Sequence, residues 1–234
     1  MKPINFNEVL FLDIETVPQH PDFNNVSENF QKHWDKKSSY FRADDETAAD
    51  VYQRAGIYAE FGRIICISVG LILGTDKIRV KSFASDDEKA LLVDFANMLN
   101  GWDKTGAKQL CGHNIKEFDV PYIARRMLVN GLKLPASIDI AGKKPWEVNH
   151  IDTLDLWKFG DYKNFTSLAL LSDLFNIPTP KDDIDGSQVY DVYYKENDLT
   201  RISTYCEKDV LCVANLLLKF YGKPIISIEN MVVA

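Results

Sequence analysis

The sequence is short of the features that mark several large classes of protein. Its four cysteines form no C-x-x-C pair and its four histidines lack metal-ligand spacing, which argues against a disulfide framework or a zinc ribbon. The longest apolar stretch, 64–73, is too short to cross a bilayer. The first ten residues lack the apolar core of a signal peptide, so we expect a cytoplasmic protein whose cysteines are reduced core thiols.

Basic residues are fewer than acidic residues. The 234 residues carry 27 Lys and Arg against 34 Asp and Glu, a formal net charge of −7, which excludes a basic, histone-like binder of long nucleic acid. An enzyme that grips a few nucleotides through bound metal ions is not excluded, because the ions supply positive charge. The length and the 46% hydrophobic content fit one well-cored domain, which we expect to span residues 1–234.

The order of the predicted elements indicates an α/β fold. Residues 18–60 are polar and rich in aromatic residues, and we expect a helical insertion there, with helices over 27–37 and 46–61. Its rings are expected to pack onto the body, with base stacking as the alternative: Phe30, Trp34, Tyr40, Phe41, Tyr52 and Tyr58. A β-meander comes first, and strands then alternate with helices, which predicts a mixed sheet with helices on both faces. Strands are expected at 9–15, 63–73, 78–84, 109–111 and 150–153, and later helices at 86–100, 166–175, 187–196 and 199–221.

The first predicted strand ends in two acids. Residues 9–12 are apolar on both faces, as in a central strand, and the acids Asp13 and Glu15 follow. Because strand side chains alternate, these two carboxylates share a face and repel each other by a few kcal/mol at an effective dielectric constant near 20. A divalent cation relieves this repulsion, and carboxylate oxygens suit Mg²⁺ or Mn²⁺.

Further acidic positions follow later elements. Asp119 comes after a predicted buried strand and opens a helix, where a helix cap is the alternative role. Tyr205 and Asp209 are four residues apart, which places them on one helix face, and solvent-exposed surface is the alternative for this pair. Each position alone is a weak signal.

Taken together, these residues resemble the DnaQ-like (DEDD) 3′-5′ exonuclease superfamily, which has the ribonuclease H-like (RNase H-like) fold. The resemblance rests on FLDIETVP around Asp13 and Glu15, GHNIKEFDVPYI around Asp119, and YCEKDV around Tyr205 and Asp209. Tyr205 indicates a resemblance to the tyrosine subclass (DEDDy), and the motif sequences are most similar to the exonuclease domain of family B DNA polymerases. The resemblance covers about residues 8 to 221.

The resemblance implies a two-metal phosphodiester hydrolase with Mg²⁺ or Mn²⁺. It implies that Asp13 bridges both ions, that Glu15 and Asp209 hold the ion that activates water, and that Asp119 supports the second ion. Tyr205, whose ordinary pKa is near 10, is a poor general base at neutral pH and is expected to orient that water by hydrogen bonding.

Five further residues are candidate contacts to the substrate. The resemblance implies that Thr16 and Val17 meet the terminal nucleotide. Asn114 either contacts the nucleotide or stabilises a turn, and Phe118 is either a core residue or a base-stacking platform. Lys181 either approaches a phosphate or is a solvated loop lysine.

The expected activity is therefore 3′-5′ hydrolysis of single-stranded DNA from its 3′ end, releasing nucleoside monophosphates. An exoribonuclease is the nearest alternative, because nothing in the sequence accepts or rejects a 2′-hydroxyl. A catalytically silent RNase H-like module that binds nucleic acid is the alternative from another class. The complete acidic set argues against silence, because a decayed site is free to lose mutually repelling carboxylates.

Overall fold

A computed structural model describes residues 3–161, 163, 165–178 and 184–234. Its strands are β1 (Val9–Pro18), β2 (Gly62–Leu73), β3 (Lys77–Ala84), β4 (Gln109–Gly112), β5 (Ile151–Asp152) and β6 (Met231–Val233). Its α-helices are α1 (Glu28–Ser38), α2 (Glu88–Trp102), α3 (Asp119–Val129), α4 (Thr153–Lys158), α5 (Leu168–Leu174), α6 (Val189–Asp191) and α7 (Leu199–Phe220). A π-helical turn, Val192–Glu196, follows α6 directly.

The strands form one mixed sheet in the order β5-β4-β1-β2-β3-β6. β1, β2 and β3 form an antiparallel meander, whereas β4 pairs with β1, β5 with β4, and β6 with β3 in parallel. The α/β class expected from the sequence is therefore confirmed. β1 lies near the centre of the sheet, with a hydrogen-bonded neighbour on each side.

Each face of the sheet has its own apolar core. Leu10, Leu12 and Ile14 of β1 pack with α2 and α3 on one face, while Val9 and Phe11 pack with α7 on the other. This division follows from side-chain alternation along a strand buried on both faces. We call the two sides the α2–α3 face and the α7 face.

The insertion after β1 folds around one tryptophan. Trp34 of α1 is fully buried and donates its indole N–H to the carbonyl of Ala48 at 2.8 Å. Four further buried residues surround it: Ala48, Val51, Tyr52 and Ala55. The packing interpretation therefore holds for Trp34 and Tyr52, whereas Tyr40 is largely exposed.

The predicted helix over 46–61 is wrong. The segment consists of turns and a short 3-10 helix, Tyr52–Ile57. Thr47 and Asp50 form a reciprocal pair, in which the Thr47 N–H donates to the Asp50 carboxylate and the Asp50 N–H donates to the Thr47 hydroxyl. This capping-box geometry favours a helix start, yet the chain after it continues only as turns and the 3-10 helix. Gly56 also packs so close to the backbone of Val17 that an added Cβ would lie 3.1 Å from it. This approach fixes the path of the chain against β1.

The four cysteines are free and buried, as the sequence analysis predicted: Cys66, Cys111, Cys206 and Cys212. In the described parts of the chain, no helix has both the length and the apolar composition that crossing a bilayer requires.

Candidate active site

The two acids of β1 lie on the α7 face, at the point where β1 extends beyond β4. The pairing of β1 with β4 ends at Phe11 and Cys111, so Asp13 and Glu15 follow the last shared residue. Asp13 is half-buried and Glu15 is buried. The strand therefore carries its charges out of the core at its C-terminal end, next to α7.

A β-bulge lies beside these acids. Glu15 pairs with Cys66 and Thr16 pairs with Ile64, so Ile65 of β2 has no partner on β1. Ile65 and Cys66 consequently both face α7, where they pack with Val17 and other buried side chains. A bulge bends its strand and re-aims side chains locally, and here it brings the Cys66 thiol next to the acids.

Asp119 reaches the site through a turn organised by a different acid. After β4, Asn114 adopts a left-handed conformation with φ of 67°. The backbone N–H groups of Asn114 and Lys116 donate to the Asp152 carboxylate at 2.9 and 3.1 Å. The chain then enters α3 at Asp119, which is buried and lies close enough to the backbone of Ile14 for that backbone to lower its pKa. Asp119 thus lies against β1 where β4 no longer covers it.

Helix α7, which packs on the α7 face of the sheet, supplies the remaining residues of the site. Tyr205 and Asp209 lie one turn apart, and the Tyr205 hydroxyl is close enough to the Asp209 carboxylate to lower its pKa. Between them, the Cys206 thiol lies 3.4 Å from Asp13 Oδ2 and 3.5 Å from the Asp13 carbonyl oxygen. Four acids from β1, α3 and α7 therefore meet at one end of the sheet.

Burial and mutual repulsion dominate the electrostatics. Burial is the largest cause that raises the pKa of Asp13 and Glu15 well above their ordinary values, and neighbouring carboxylates add to it. Burial raises the pKa of Asp119 to about 7 and that of Asp209 to about 6. Within the described residues, no Lys, Arg or His forms an ion pair with these acids. Excess negative charge in low dielectric favours either protonation or a bound cation.

The donor set fits a hard divalent cation. Oxygen atoms of Asp13 and Glu15 and the Cys206 sulfur lie within 4.8 Å of one another. Carboxylate oxygens suit Mg²⁺ and Mn²⁺, whereas a thiol does not. Because the Cys206 thiol already hydrogen-bonds Asp13, we assign it to orienting that carboxylate.

Comparisons with known protein families and structures provide a separate line of evidence on this site. Residues 57–222 match a family described as "Predicted 3'-5' exonuclease related to the exonuclease domain of PolB". The chain belongs to this family. The matched segment of this PolB-related exonuclease family contains Asp119, Tyr205 and Asp209, while Asp13 and Glu15 precede it. No curated protein sequence matches the chain.

The family B DNA polymerase of the hyperthermophilic archaeon Pyrobaculum calidifontis has a similar structure. The superposition has a TM-score of 0.54 at 16% sequence identity and covers 92% of this chain. It covers 24% of the polymerase chain, so this chain spans about a quarter of that protein. The likeness and the mixed six-stranded sheet show the RNase H-like fold, and the resemblance seen in the sequence is confirmed.

The predicted substrate contacts lie in different environments. Thr16 is half-buried on the α2–α3 face, close to the Tyr122 hydroxyl, which donates to the carbonyl of Gly56. The Val17 side chain is fully buried, which leaves its backbone as the group available to a nucleotide. Phe118 packs on the core with its ring 5.5 Å from that of Tyr122. Asn114 shapes the turn before α3, and Lys181 lies outside the described residues.

Two residues of the site were missed by the sequence analysis. Cys206 falls on the apolar stripe of α7, so helical periodicity assigned it to the core and gave no sign of its contact with Asp13. Asp152 also accepts hydrogen bonds from the backbone N–H groups of Leu154 and Asp155 as the cap of α4. An acid between a short strand and a helix is a recognisable cap signature, and that signal was available.

Proposed function

We propose that this member of the PolB-related exonuclease family hydrolyses single-stranded DNA from its 3′ end and releases nucleoside monophosphates with two Mg²⁺ or Mn²⁺ ions. One observation carries the proposal: four acids from three elements, two buried and two half-buried, converge, and no Lys, Arg or His of the described residues forms an ion pair with them. A buried charge normally has a partner. In this proposal, bound divalent metal ions would supply the missing positive charge.

In this proposal Asp13, Glu15, Asp119 and Asp209 hold the two ions. When bound, such ions lower the pKa of a water molecule and stabilise the charge that develops on the phosphate. The protein residues contribute to the geometry: the Cys206 thiol donates to Asp13, and the backbone of Ile14 lies close to Asp119. The site is therefore oriented by contacts from its own backbone and from α7.

Tyr205 acts as a hydrogen-bond donor and not as a base. Burial, followed by the neighbouring Asp209, raises its pKa above the ordinary value near 10, so the phenol stays protonated at physiological pH. Its hydroxyl, which lies close to Asp209, would orient the attacking water. A neutral donor adds no negative charge to a site that already holds four acids.

DNA is proposed over RNA because the similar structure belongs to a DNA polymerase. The roles of Thr16, Val17, Asn114, Phe118 and Lys181 as substrate contacts remain predictions. A single strand is proposed over a duplex because a paired end must first open, at a cost of a few kcal/mol.

The test uses oligonucleotides labelled at one end. With Mg²⁺, a 5′-labelled single strand of DNA should give a ladder that shortens from the 3′ end, and EDTA should stop it. RNA and blunt duplex of the same sequence provide the comparison arms. Products that shorten from the 5′ side, or full activity in EDTA, would refute the proposal. Faster digestion of RNA would reassign the substrate to the exoribonuclease alternative.

A further inference from the structure

A groove of about 710 Å³ lies between α1 and α3, beyond the C-terminal end of β1. Its α1 side carries Phe30, His33, Lys36, Lys37 and Tyr40, and Val129 of α3 lies opposite. We call it the α1–α3 groove. It is separate from the four acids, and the chemistry proposed for them makes no use of it.

Aromatic rings in this groove are exposed, in contrast to the ring that anchors the same helix. Tyr40 is 79% exposed and Phe30 is 43% exposed, whereas Trp34 of α1 is fully buried. The fold therefore does not need the Tyr40 ring for packing. An exposed ring in a concave surface provides a face on which a nucleic-acid base can stack, whatever the base.

The charge of the groove differs from that of the whole chain. Lys36 and Lys37 line it, and Glu60 supplies one negative charge. The Arg126 guanidinium also reaches it but is bound by Glu88. A chain of net charge −7 therefore presents a pair of lysines beside exposed rings here. This combination complements a single strand, which has both phosphates and stacking faces.

Two elements connect the separate groove to the acid site. Gln19, which lines the groove, is four residues beyond Glu15, a span of at most about 14 Å in an extended chain. Along α3, Val129 is ten residues beyond Asp119, about 15 Å at the rise of a helix. Both routes correspond to about four stacked nucleotides.

We propose that the α1–α3 groove binds the single strand upstream of the 3′ end, beginning about four nucleotides from the scissile bond. The lysines contact the phosphates, and the Tyr40 and Phe30 rings stack on the bases. This inference rests on the proposed function, since the hydrolytic site fixes where the 3′ end lies. It predicts that short substrates cannot use the groove and that long ones can.

The experiment compares two double variants with the same change of charge. Lys36→Gln/Lys37→Gln removes the groove lysines. Lys32→Gln/Lys89→Gln is the control, because Lys32 lies on another side of α1 and Lys89 on α2. Fluorescence anisotropy measures the affinity for labelled dT12, dT3 and rU12 in an Asp13→Asn background, which is not expected to hydrolyse them. The active proteins are assayed on dT12 and on thymidine 5′-(p-nitrophenyl) phosphate, which has no upstream strand.

The groove double variant should lose affinity for dT12 and not for dT3. The slope of log affinity against log salt should fall by about 1.4, or about 0.7 for each lost phosphate contact. The ratio of kcat/KM for dT12 to that for the ester should fall with it, and Tyr40→Ala should weaken dT12 binding about five-fold or more. An equal loss for rU12 would show that the groove accepts RNA as well as DNA.

Equal dT12 affinity in both double variants would overturn the groove proposal, and a groove that serves a protein partner would give this result. That outcome is distinct from failure of the proposed function. If the parent protein hydrolyses neither the ester nor any oligonucleotide, the exonuclease proposal fails. The anisotropy comparison, which needs no turnover, still decides whether the groove binds a single strand.

Discussion

Two clusters of charged side chains, one on each face of the sheet, differ in how their buried charge is compensated. On the α2–α3 face, Glu88 and Arg126 form a two-pronged ion pair with contacts of 2.6 and 2.9 Å. Glu88 also accepts hydrogen bonds from the backbone N–H of Ile64 and from Asn130, and Arg126 donates to the carbonyl of Ala59. On the α7 face, the four acids have each other as neighbours, and no Lys, Arg or His in the described parts of the chain forms an ion pair with them.

The difference separates a cluster that holds the fold from one that acts on a ligand. A buried ion pair with its hydrogen bonds satisfied offsets its own desolvation and ties α2 to α3. Four acids whose pKa values are raised weaken the metal-free fold and bind cations instead. Mutations in the two clusters should therefore move stability and activity in different directions.

The largest effect is expected for Asp13→Asn. Turnover should fall on the order of 10³-fold or more, because a ligand proposed for both ions is lost. Steady-state hydrolysis of the p-nitrophenyl ester measures this, with Asp94→Asn on the exposed side of α2 as the control. An Asp13→Asn protein with parental turnover would break the comparison, since the unpaired acids would then have no catalytic task.

The next effect concerns stability on the opposite face. Glu88→Ala should lower the free energy of unfolding by about 3 to 5 kcal/mol, because Arg126 is left buried and unpaired. Urea unfolding measures the loss. The matched control is Asp35→Ala, which breaks the more exposed Arg42–Asp35 pair and should cost at most about 1 kcal/mol. Similar losses in both variants would show that the buried pair has no special structural weight.

Tyr205→Phe should lower turnover by up to about 10²-fold, with little change in affinity for metal or single strands. Because the phenol is not the base, the pH–rate profile should keep its shape and drop as a whole. Tyr193→Phe is the control, since that hydroxyl donates to Asp86 outside the acid cluster. Unchanged turnover would remove Tyr205 from the mechanism, and a new limb in the profile would reassign it as a titrating group.

The smallest effect is a pH-dependent gain of stability in metal-free Asp209→Asn. The pKa of Asp209 is raised to about 6 from an ordinary value of 3.8, so the folded state binds more protons between these values. Stability from this group is present at low pH and lost as pH rises through about 6. The variant should therefore exceed the parent by roughly 1 to 2 kcal/mol at pH 8 and match it near pH 4.

The difference between variant and parent is the useful quantity, because a histidine contributes with the opposite sign. Burial lowers the pKa of His150 to about 4, so stability from that group rises between pH 4 and its ordinary pKa of 6.5. This contribution cancels in the difference. Saturating Mg²⁺ should reverse the order at pH 8, since the parent keeps all its proposed ligands. A variant less stable than the metal-free parent at pH 8 would contradict the repulsion argument.

The spacing of residues along the sequence predicted most of the helices and strands and part of the site. The alternation in β1 placed Asp13 and Glu15 together, and the helical spacing placed Tyr205 beside Asp209, because both rules act over a few residues. The edge strand β6 had no such signal. It has three residues and pairs with β3, far away in sequence, so only the folded chain defines it.

The misassigned parts share a physical cause. The predicted 46–61 helix was lost to contacts with α1 and β1 that a local pattern does not contain. The position of Asp119 depends on a turn fixed by Asp152, an acid from a later strand. The contact between Cys206 and Asp13 joins residues 193 positions apart. Where tertiary contacts decide the geometry, propensity alone does not predict it.

The unpaired Ile65 also determines where the antiparallel β1–β2 pair tolerates a change of length. Ile64 faces α2 and α3 while Cys66 faces α7, so these two side chains would alternate normally if Ile65 were absent. Removing Ile65 alone would straighten β2 and leave every other side chain on its present face. Loss of one residue elsewhere in β2 would turn part of the strand over and expose its core side chains. In an alignment of related chains, a single-residue gap within β2 should therefore fall at position 65.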